Sequence, residues 1–325
     1  MPGSHVVFGT GSVGLALVDA LVAQAVPVRV VSRSGRAQVP KGVEVIAGDV
    51  SNPEFAIKAA ANAAVVYQCM APPYNRWTEL FPQLQEAVVQ AARRTGARYV
   101  SFENTYMYGD TGGTPMTETT PLRAQTRKGK VRLAMARQLS ELYDAGDLAV
   151  TTARASDYFG PRGTNQSPLG DLVIGAAMAG KPARVLGDPD QLHSYTYLPD
   201  AARTLAALGS RDDVIGEVFH IPNVPAQTTR QIIHSISLAL GRPVKISVAP
   251  RFLLRVMGLF NPTIGELDEM LYEFNQPFVV DSAKAQARLG IEPTPLAEAI
   301  AATVAWFRDQ EAARRPYLRA PQIQS

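Results

Sequence analysis

Short apolar segments alternate with longer amphipathic segments over the first half of the chain. Six segments rich in Val and Ile are apolar without interruption, as strands buried on both faces of a sheet are, and we predict strands at 5–9, 28–32, 43–47, 63–68, 98–102 and 148–154. Helical patterns lie between them, and Asn52-Pro53-Glu54 supplies the capping residue, first-turn proline and acid of a helix start. This alternation predicts an α/β fold with a Rossmann-like, doubly wound parallel sheet.

The pattern changes after Pro161, where helical segments predominate and strands become short. We predict helices at 170–180, 199–209, 228–240, 250–259, 264–274 and 295–310, and strands at 183–186, 217–221 and 243–248. We therefore expect a sheet domain at 1–160 and a smaller, mostly helical lobe at 161–325. Late elements of the sheet are expected from about 193–222, so the two units are partly interleaved.

Composition and charge narrow the class of protein. Hydrophobic residues make up 46% of the 325 residues and charged residues 19%, which is enough to build a large core. The net charge of +3 is small and the arginines are scattered, so we expect no nucleic-acid partner. No apolar run approaches the roughly 20 residues of a membrane span. The N-terminus lacks a basic leader with an apolar segment after it, so we expect a cytoplasmic protein.

Two further counts bear on metal sites. Cys69 is the only cysteine, which excludes intramolecular disulfides and argues against a thiol-rich metal site. The four histidines, at 5, 193, 220 and 234, show no local metal-ligand spacing. We expect no bound metal.

The segment HVVFGTGSVGLALVDALVA contains a G-x-G-x-x-G pattern between a predicted strand and a predicted amphipathic helix. Glycines there let the backbone approach a pyrophosphate, and the helix N-terminus offers unpaired N–H groups and a positive dipole end. An ordinary tight turn between strand and helix is the alternative. We predict a dinucleotide site, with contacts from Gly9, Thr10, Gly11, Ser12, Val13 and Gly14, which makes the sheet unit an NAD(P)-binding domain.

The end of the second strand, VRVVSRSGR, bears on which dinucleotide binds. An NAD site usually places an acid there for the ribose 2′-hydroxyl, whereas an NADP site tolerates arginine against the 2′-phosphate. This segment has no acid and carries a polar, basic cluster of Ser32, Arg33, Ser34 and Arg36. A guanidinium can bind a phosphate with two hydrogen bonds, so we predict NADP rather than NAD. Two solvated arginines on a loop are the alternative.

Several segments together resemble the extended short-chain dehydrogenase/reductases, which include nucleotide-sugar epimerases and dihydroflavonol reductases. The resemblance covers nearly the whole chain and is carried by the glycine loop, GDV at 48–50, MAPP at 70–73, YVSFENTYMYG at 99–109, TRKGK at 126–130, RASDYFGP at 154–161, HSYTYLPDAART at 193–204 and LGIEPTPLAEAIAATVAWF at 289–307. It implies an NAD(P)-dependent enzyme with further cofactor contacts from Asp49, Val50, Met70 and Ala71. Asp49 also suits a turn aspartate that prepares the Asn52 helix cap.

The chain departs from this family at the positions that matter most for catalysis. Phe8 stands where the first glycine of the usual loop would fall. The family's catalytic serine position holds Asn104, with Thr105 next to it, and its catalytic tyrosine position holds Thr126. The family's lysine is present as Lys130. An aliphatic hydroxyl is too weak an acid to protonate a substrate. The resemblance implies that Lys130 binds the nicotinamide ribose, with a solvated lysine as the alternative.

Three other side chains are candidates for the missing acid. Tyr106 follows the fifth strand, Tyr158 belongs to the loop that the family uses to cover the nicotinamide, and Glu103 becomes an acid if burial raises its pKa. Pairing with an arginine is the alternative for Glu103. Asp157 is a further carboxyl in the same region, whereas Tyr108 matches a structural tyrosine of the family.

The substrate end of the chain argues against a nucleotide-sugar substrate. His193 stands where many family members carry a phosphate-binding arginine, and a single histidine binds a diphosphate poorly. A fairly apolar pocket is suggested by Tyr195, Tyr197 and the segment ELDEMLYEF at 266–274. The apolar residues of that segment more often belong to a hydrophobic core than to a ligand pocket.

The leading hypothesis is an NADP-dependent reductase of a small, fairly apolar carbonyl, imine or conjugated alkene. There are two alternatives. The first is an epimerase or isomerase without net redox, and the second is a protein that senses NADP(H) and binds partners. The family commonly dimerises through two helices per subunit, which implies a homodimer through 76–95 and 127–144. The first of these helices carries an apolar stripe of Leu80, Leu84, Val88 and Ala91.

Overall fold

A computed structural model describes residues 3–248 and 268–318, with side chains as far as residue 313. The strands are β1 Ser4–Phe8, β2 Val28–Ser32, β3 Glu44–Ala47, β4 Ala63–Gln68, β5 Arg98–Glu103, β6 Val150–Arg154, β7 Asp157–Phe159, β8 Ala183–Val185, β9 Leu192–His193, β10 Tyr195–Tyr197, β11 Val218–His220, β12 Gln227–Thr228 and β13 Ile246–Val248. The helices are α1 Ser12–Ala23, α2 Pro53–Ala59, α3 Trp77–Thr95, α4 Arg127–Asp144, α5 Ala176–Met178, α6 Leu198–Ser210, α7 Thr229–Leu240, α8 Tyr272–Asn275, α9 Ala283–Leu289 and α10 Leu296–Leu318.

The central sheet has seven strands in the order β11-β6-β5-β4-β1-β2-β3. Every neighbouring pair is parallel. The direction of winding reverses between β1 and β4, and ligands of such sheets bind at the carboxyl ends of the strands at this switch point. The predicted Rossmann-like fold class is confirmed.

Helices cover both faces of the sheet. Packed against one face are α1 and α6, with the predicted stripe Val13, Leu17 and Leu21 buried at 5%, 0% and 0% exposure. The other face is covered by α2, α3 and α4. Strands between two helical layers are apolar on both sides, which explains their uninterrupted hydrophobic pattern.

The C-terminal lobe has its own core, in which α7 and α10 pack on β8 and β10. Of the predicted late sheet elements, β11 joins the central sheet, whereas β9 and β10 pair with β12 and β7 in separate two-stranded sheets. Within the two described stretches of the chain, no helix combines the length and apolar character required to span a membrane.

Two predicted helices differ from the structure. Residues 170–180 form a π-helical segment, Gly170–Gly175, and the very short α5. Glycines at both ends of the π-helical segment explain the difference, because glycine is a poor helix former. The described part of 264–274 forms a 3₁₀ turn, Asp268–Met270, before α8. The predicted helix at 250–259 lies outside the described residues.

Candidate active site

The glycine loop connects β1 to α1 at the switch point. Gly9 has a φ of +118°, and a Cβ there would lie 2.9 Å from the carbonyl oxygen of Cys69. A Cβ on Gly14 would collide with the carbonyl oxygen of Gly9. In contrast, the atom nearest to a Cβ on Gly11 is Oε1 of Gln166 at 3.9 Å, so this turn is open on its outer side. The tight turn, its open side and the start of α1 fit a dinucleotide pyrophosphate.

A loop that follows β7 lies over the glycine loop. Ser12 Oγ donates to the carbonyl oxygen of Arg162 at 2.7 Å, and Arg162 Nη2 lies 3.0 Å from Asp19 Oδ2 on α1. Tyr158 Oη donates to Gln166 Oε1 at 3.3 Å. Burial raises the pKa of Tyr158 to about 12. Tyr158 therefore lies beside the glycine loop, and it is a weaker acid than an ordinary phenol.

The end of β2 carries the predicted basic cluster. Ser32 is buried and its Oγ lies 3.4 Å from Ser34 Oγ, which accepts from the backbone N–H of Arg36 at 3.3 Å. Arg33 and Arg36 are both exposed. The serines thus shape the loop, and the guanidinium groups are accessible to a ligand.

Asp49 follows β3 beside this cluster. Its Oδ1 accepts from the backbone N–H of Ser51 at 3.0 Å, and its carbonyl oxygen accepts from Asn52 at 3.1 Å. Hydrogen bonds from Ser51, and to a smaller extent the charge of Arg33, lower the pKa of Asp49. Asp49 therefore organises the turn before α2, and Val50 next to it is buried.

Residues after β4 complete the rim of the switch point. Met70 donates its backbone N–H to the buried Gln68 Oε1 at 2.6 Å, and Cys69 donates its own to the carbonyl oxygen of Phe8 at 2.9 Å. Ala71 is exposed. Met70 and Ala71 therefore stand at the carboxyl end of β4, where the resemblance implies cofactor contacts.

Thr126 and Lys130 have separate environments. The Oγ1 of Thr126 accepts from the backbone N–H of Gly129 at 3.0 Å and caps α4. Lys130 is exposed one turn later. Nearby, Asn104 Oδ1 accepts from a backbone N–H at 3.4 Å, and Thr105 is buried. Thr126 thus has a structural task, and Lys130 is accessible to a ligand.

Glu103 pairs with two buried arginines at the end of β5. Arg154 Nε donates to its Oε2 at 3.1 Å, and Arg132 Nη2 lies 3.7 Å from its Oε1. Arg154 also donates to Tyr108 Oη at 2.9 Å. Tyr108 in turn donates to Nε2 of His220 at 2.6 Å. Glu103 therefore neutralises buried arginines, the alternative considered from the sequence, and Tyr108 is a structural residue.

Tyr106 belongs to an aromatic cluster with Tyr74 and Trp77, and a second lysine that sequence analysis missed lies against this cluster. The side chain of Lys128 is 2% exposed, with Nζ 3.3 Å from Glu269 Oε1 and 4.1 Å from the ring centroid of Tyr74. The ring of Tyr106 lies 5.8 Å from that of Trp77. Burial and then the charge of Glu273 raise the pKa of Tyr106 well above its ordinary value. Nothing in the basic sequence around Lys128 sets it apart from its neighbours.

The substrate end combines acidic and aromatic side chains. His193 Nε2 lies 3.1 Å from Asp157 Oδ2, and its Nδ1 lies 3.1 Å from the carbonyl oxygen of Glu273. The Glu273 side chain is buried, and its Oε1 has no hydrogen-bond partner among the described residues. Tyr195 Oη bonds to Thr229 Oγ1 at 2.7 Å, which makes it a core residue.

The stripe expected in 266–274 is core where it is described. Met270 and Leu271 are 2% and 3% exposed, whereas residue 267 lies outside the described residues. Phe274 stacks on the His193 ring with centroids 5.0 Å apart. This segment therefore brings Glu273 to His193. Sequence analysis singled out His193 but not this pairing, because the two residues meet only in the fold.

Comparison with known proteins agrees with this geometry. The model of the NAD-dependent epimerase/dehydratase family matches residues 6–221. A dTDP-glucose 4,6-dehydratase of Xanthomonas campestris pv. campestris (strain B100) is 24% identical over 66% of this chain and 59% of its own length. A 3beta-hydroxysteroid-dehydrogenase/decarboxylase isoform 2 of Arabidopsis thaliana is 25% identical over 85% of this chain and 53% of its own. The chain thus spans between half and two thirds of these relatives.

Solved structures of similar proteins share the fold. The double mutant of DesIV (dTDP-glucose 4,6-dehydratase) from Streptomyces venezuelae, with NAD and DAU bound, superposes with a TM-score of 0.77. The superposition covers 96% of this chain and 99% of that one, at 18% identity.

Proposed function

The chain belongs to the NAD-dependent epimerase/dehydratase family, and from that premise we propose that it is an NADP-dependent reductase of a small, fairly apolar carbonyl, imine or conjugated alkene. The glycine loop and the start of α1 hold the pyrophosphate, Arg33 and Arg36 bind the 2′-phosphate, and Lys130 binds the nicotinamide ribose. A nicotinamide cofactor supplies hydride when bound. The chain's own side chains supply orientation and the proton.

The distribution of charge at the substrate end carries this proposal. The cationic groups described there already have acidic partners: Lys128 pairs with Glu269, and Arg132 and Arg154 pair with Glu103. A further carboxyl, that of Asp157, lies beside His193, and the carboxyl of Glu273 is buried in the same region. A diphosphate needs free guanidinium or ammonium groups. A small substrate without phosphate fits this edge better than a nucleotide sugar does.

Preference for NADP is tested by comparing the two cofactors directly. Replacing Arg33 with alanine should weaken NADPH binding by about 1.5–3 kcal/mol, the usual contribution of a charged hydrogen bond, and leave NADH binding nearly unchanged. Calorimetry on the unmodified protein and on Arg33→Ala, each with NADPH and with NADH, gives the four dissociation constants. Arg76→Ala is the matched control, because Arg76 is exposed and paired with Glu79 at 2.7 Å outside the cofactor loop. Equal dissociation constants for NADPH and NADH in the unmodified protein would refute the preference.

Two alternatives have their own support. The names of the relatives favour a dehydratase or epimerase that returns its cofactor unchanged. Capping of α4 by Thr126, in place of an acidic phenol, favours a protein that senses NADP(H) without turnover. Net oxidation of NADPH in the presence of carbonyl substrates separates the reductase from both.

A homodimer through α3 and α4 stays a proposal. Val88 and Ala91 of the predicted stripe pack inside the subunit core at 0% exposure. Leu80 and Leu84 are only partly buried in the subunit, so they are the members of the stripe that a partner subunit would cover.

A further inference from the structure

His193 lies between two hydrogen-bond acceptors. Its Nδ1 is 3.1 Å from the carbonyl oxygen of Glu273, and its Nε2 is 3.1 Å from Oδ2 of Asp157. The ring is 2% exposed and stacks between Phe274 and Phe278, with centroid distances of 5.0 and 5.1 Å. A carbonyl oxygen only accepts hydrogen bonds, so Nδ1 must carry a hydrogen.

With one hydrogen on Nδ1, the ring directs either a lone pair or a second hydrogen from Nε2 at Asp157, depending on whether it is neutral or charged. A neutral imidazole with its hydrogen on Nδ1 would direct the Nε2 lone pair at a carboxylate oxygen, which is repulsive. The contact is favourable only if a second proton lies between Nε2 and Oδ2. We propose that His193 and Asp157 share this proton as a buried imidazolium–carboxylate pair, and that the pair is the proton donor that replaces the missing tyrosine. The donor role rests on the proposed reductase function.

The candidates considered from the sequence are less suited to that task. Glu103 is engaged by Arg132 and Arg154, and the pKa values of Tyr106 and Tyr158 are raised, chiefly by burial. A phenol with a raised pKa gives up its proton less readily, so neither tyrosine has the property that the missing residue would supply.

The groups around the pair favour one shared proton. Burial, and then the charge of Asp157, holds the pKa of Glu273 well above its usual range, so Glu273 stays neutral beside the imidazolium. The Tyr195 ring lies 4.5 Å from the His193 ring, and its hydroxyl bonds to Thr229 Oγ1. Among the described residues, Tyr74, Tyr106 and Tyr272 lie in the same region, and burial raises the pKa of each. Asp157 is the carboxyl whose oxygen faces the His193 ring.

The position of Asp157 gives the proton a route. Its side chain is 19% exposed, whereas that of His193 behind it is 2% exposed. Asp157 begins β7 just after β6 ends, and Tyr158 next to it lies beside the glycine loop. Asp157 is therefore the member of the pair that solvent or a ligand can reach.

The shared proton can reach a substrate carbonyl in two transfers. It moves from Nε2 to Oδ2, and the O–H of the Asp157 carboxyl then donates it to the substrate oxygen. A bound dinucleotide would supply the hydride, with its two electrons, that the carbonyl carbon needs to become an alcohol carbon. Neutral His193 and ionised Asp157 are left, and solvent restores the proton through the exposed edge of Asp157.

The protonation state can be measured on the intact protein without turnover. Heteronuclear NMR of the imidazole nitrogens is practical because the chain has four histidines. Near neutral pH we expect both His193 nitrogens to be protonated. In Asp157→Asn the amide N–H can donate to Nε2, so His193 should become neutral with its hydrogen on Nδ1.

His220 is the internal control for this measurement. Its Nδ1 also lies near a carbonyl oxygen, that of Asp281 at 2.8 Å, but its Nε2 lies 2.6 Å from Tyr108 Oη, which can donate. Burial lowers the pKa of His220. His220 should therefore be neutral where His193 is charged. A neutral His193 beside an ionised Asp157 in the unmodified protein would overturn the proposal, and this result needs no variant to fold.

Turnover tests the donor role. Asp157→Asn and His193→Gln should each slow single-turnover NADPH oxidation by about 10²–10⁴-fold, the usual contribution of a general acid, with unchanged NADPH affinity. His193→Gln keeps a hydrogen bond to Asp157 but has no transferable proton. The matched control is Asp190→Asn, which removes an exposed carboxyl paired with Arg230. Rates within threefold of the unmodified protein would overturn the donor role.

The two proposals fail in different ways. An unmodified protein that binds NADPH but reduces no carbonyl would refute the reductase function and the donor role together, while the NMR result would still decide whether the protonated pair exists. A protein that reduces carbonyls with Asp157→Asn at full rate would refute the donor role alone.

Discussion

The cofactor end and the substrate end of this molecule are built in opposite ways. The cofactor end consists of one continuous segment, β1 with the glycine loop and α1, which presents backbone groups. Its glycines allow the tight turn because they have no Cβ. At the substrate end the side chains of Asp157 and His193 meet the carbonyl group of Glu273, and the three residues come from three separate segments. Backbone sites follow from local sequence, whereas side-chain clusters follow from packing.

The two ends also treat charge differently. Arg33 and Arg36 are exposed, so water screens them until a ligand arrives. Glu103 and its arginines are buried, and burial makes each charge dependent on its partner. Substitutions at the substrate end should therefore change stability, while those at the cofactor end should change affinity.

The largest expected effect concerns Glu103. Glu103→Gln would leave Arg132 and Arg154 buried without a negative partner, at a cost of about 3–5 kcal/mol in the free energy of unfolding. Urea unfolding followed by circular dichroism measures it. Glu79→Gln is the control, because Glu79 pairs with Arg76 in an exposed salt bridge at 2.7 Å. Unchanged stability combined with lost turnover would instead make Glu103 a catalytic acid and would erase the contrast between the two ends.

A smaller effect is expected at the cofactor end from Gly14→Ala. The added Cβ would collide with the Gly9 carbonyl oxygen. Such overpacking costs about 1–3 kcal/mol, so NADPH affinity should fall roughly tenfold to a hundredfold. Gly175→Ala is the control and should leave NADPH affinity unchanged, because the nearest atom to its added Cβ would be 3.7 Å away. Normal NADPH binding by Gly14→Ala would show that the tight contact between Gly14 and Gly9 does not contribute to cofactor affinity.

The smallest effect is expected from Thr126→Ala, at the border between the two ends. Loss of the cap on α4 should lower stability by about 1 kcal/mol. The single-turnover rate should stay within about tenfold, because the hydroxyl is too weak an acid to donate the proton. Thr126→Ser, which keeps the capping oxygen, should restore stability. A thousandfold loss of rate in Thr126→Ala would instead place this hydroxyl in the proton relay.

The amino-acid sequence by itself determined the fold class and the cofactor loop. Buried strands have uninterrupted apolar patterns, and β4 begins and ends at the predicted residues, Ala63 and Gln68. The cap formed by Asn52 is also present, with its Oδ1 accepting from the N–H groups of Glu54 and Phe55. These features are recognisable because each depends on residues within a few positions of one another.

Only the tertiary structure decided which side chains meet at the substrate end. Lys128 is buried and Lys130 exposed although they are two positions apart, because α4 turns one toward Glu269 and the other away. His193 meets the carbonyl group of Glu273, 80 residues further along the chain, and the carboxyl of Asp157, 36 residues before it. The charge of a buried group depends on the partners that packing brings to it, and no local pattern in the chain encodes that pairing.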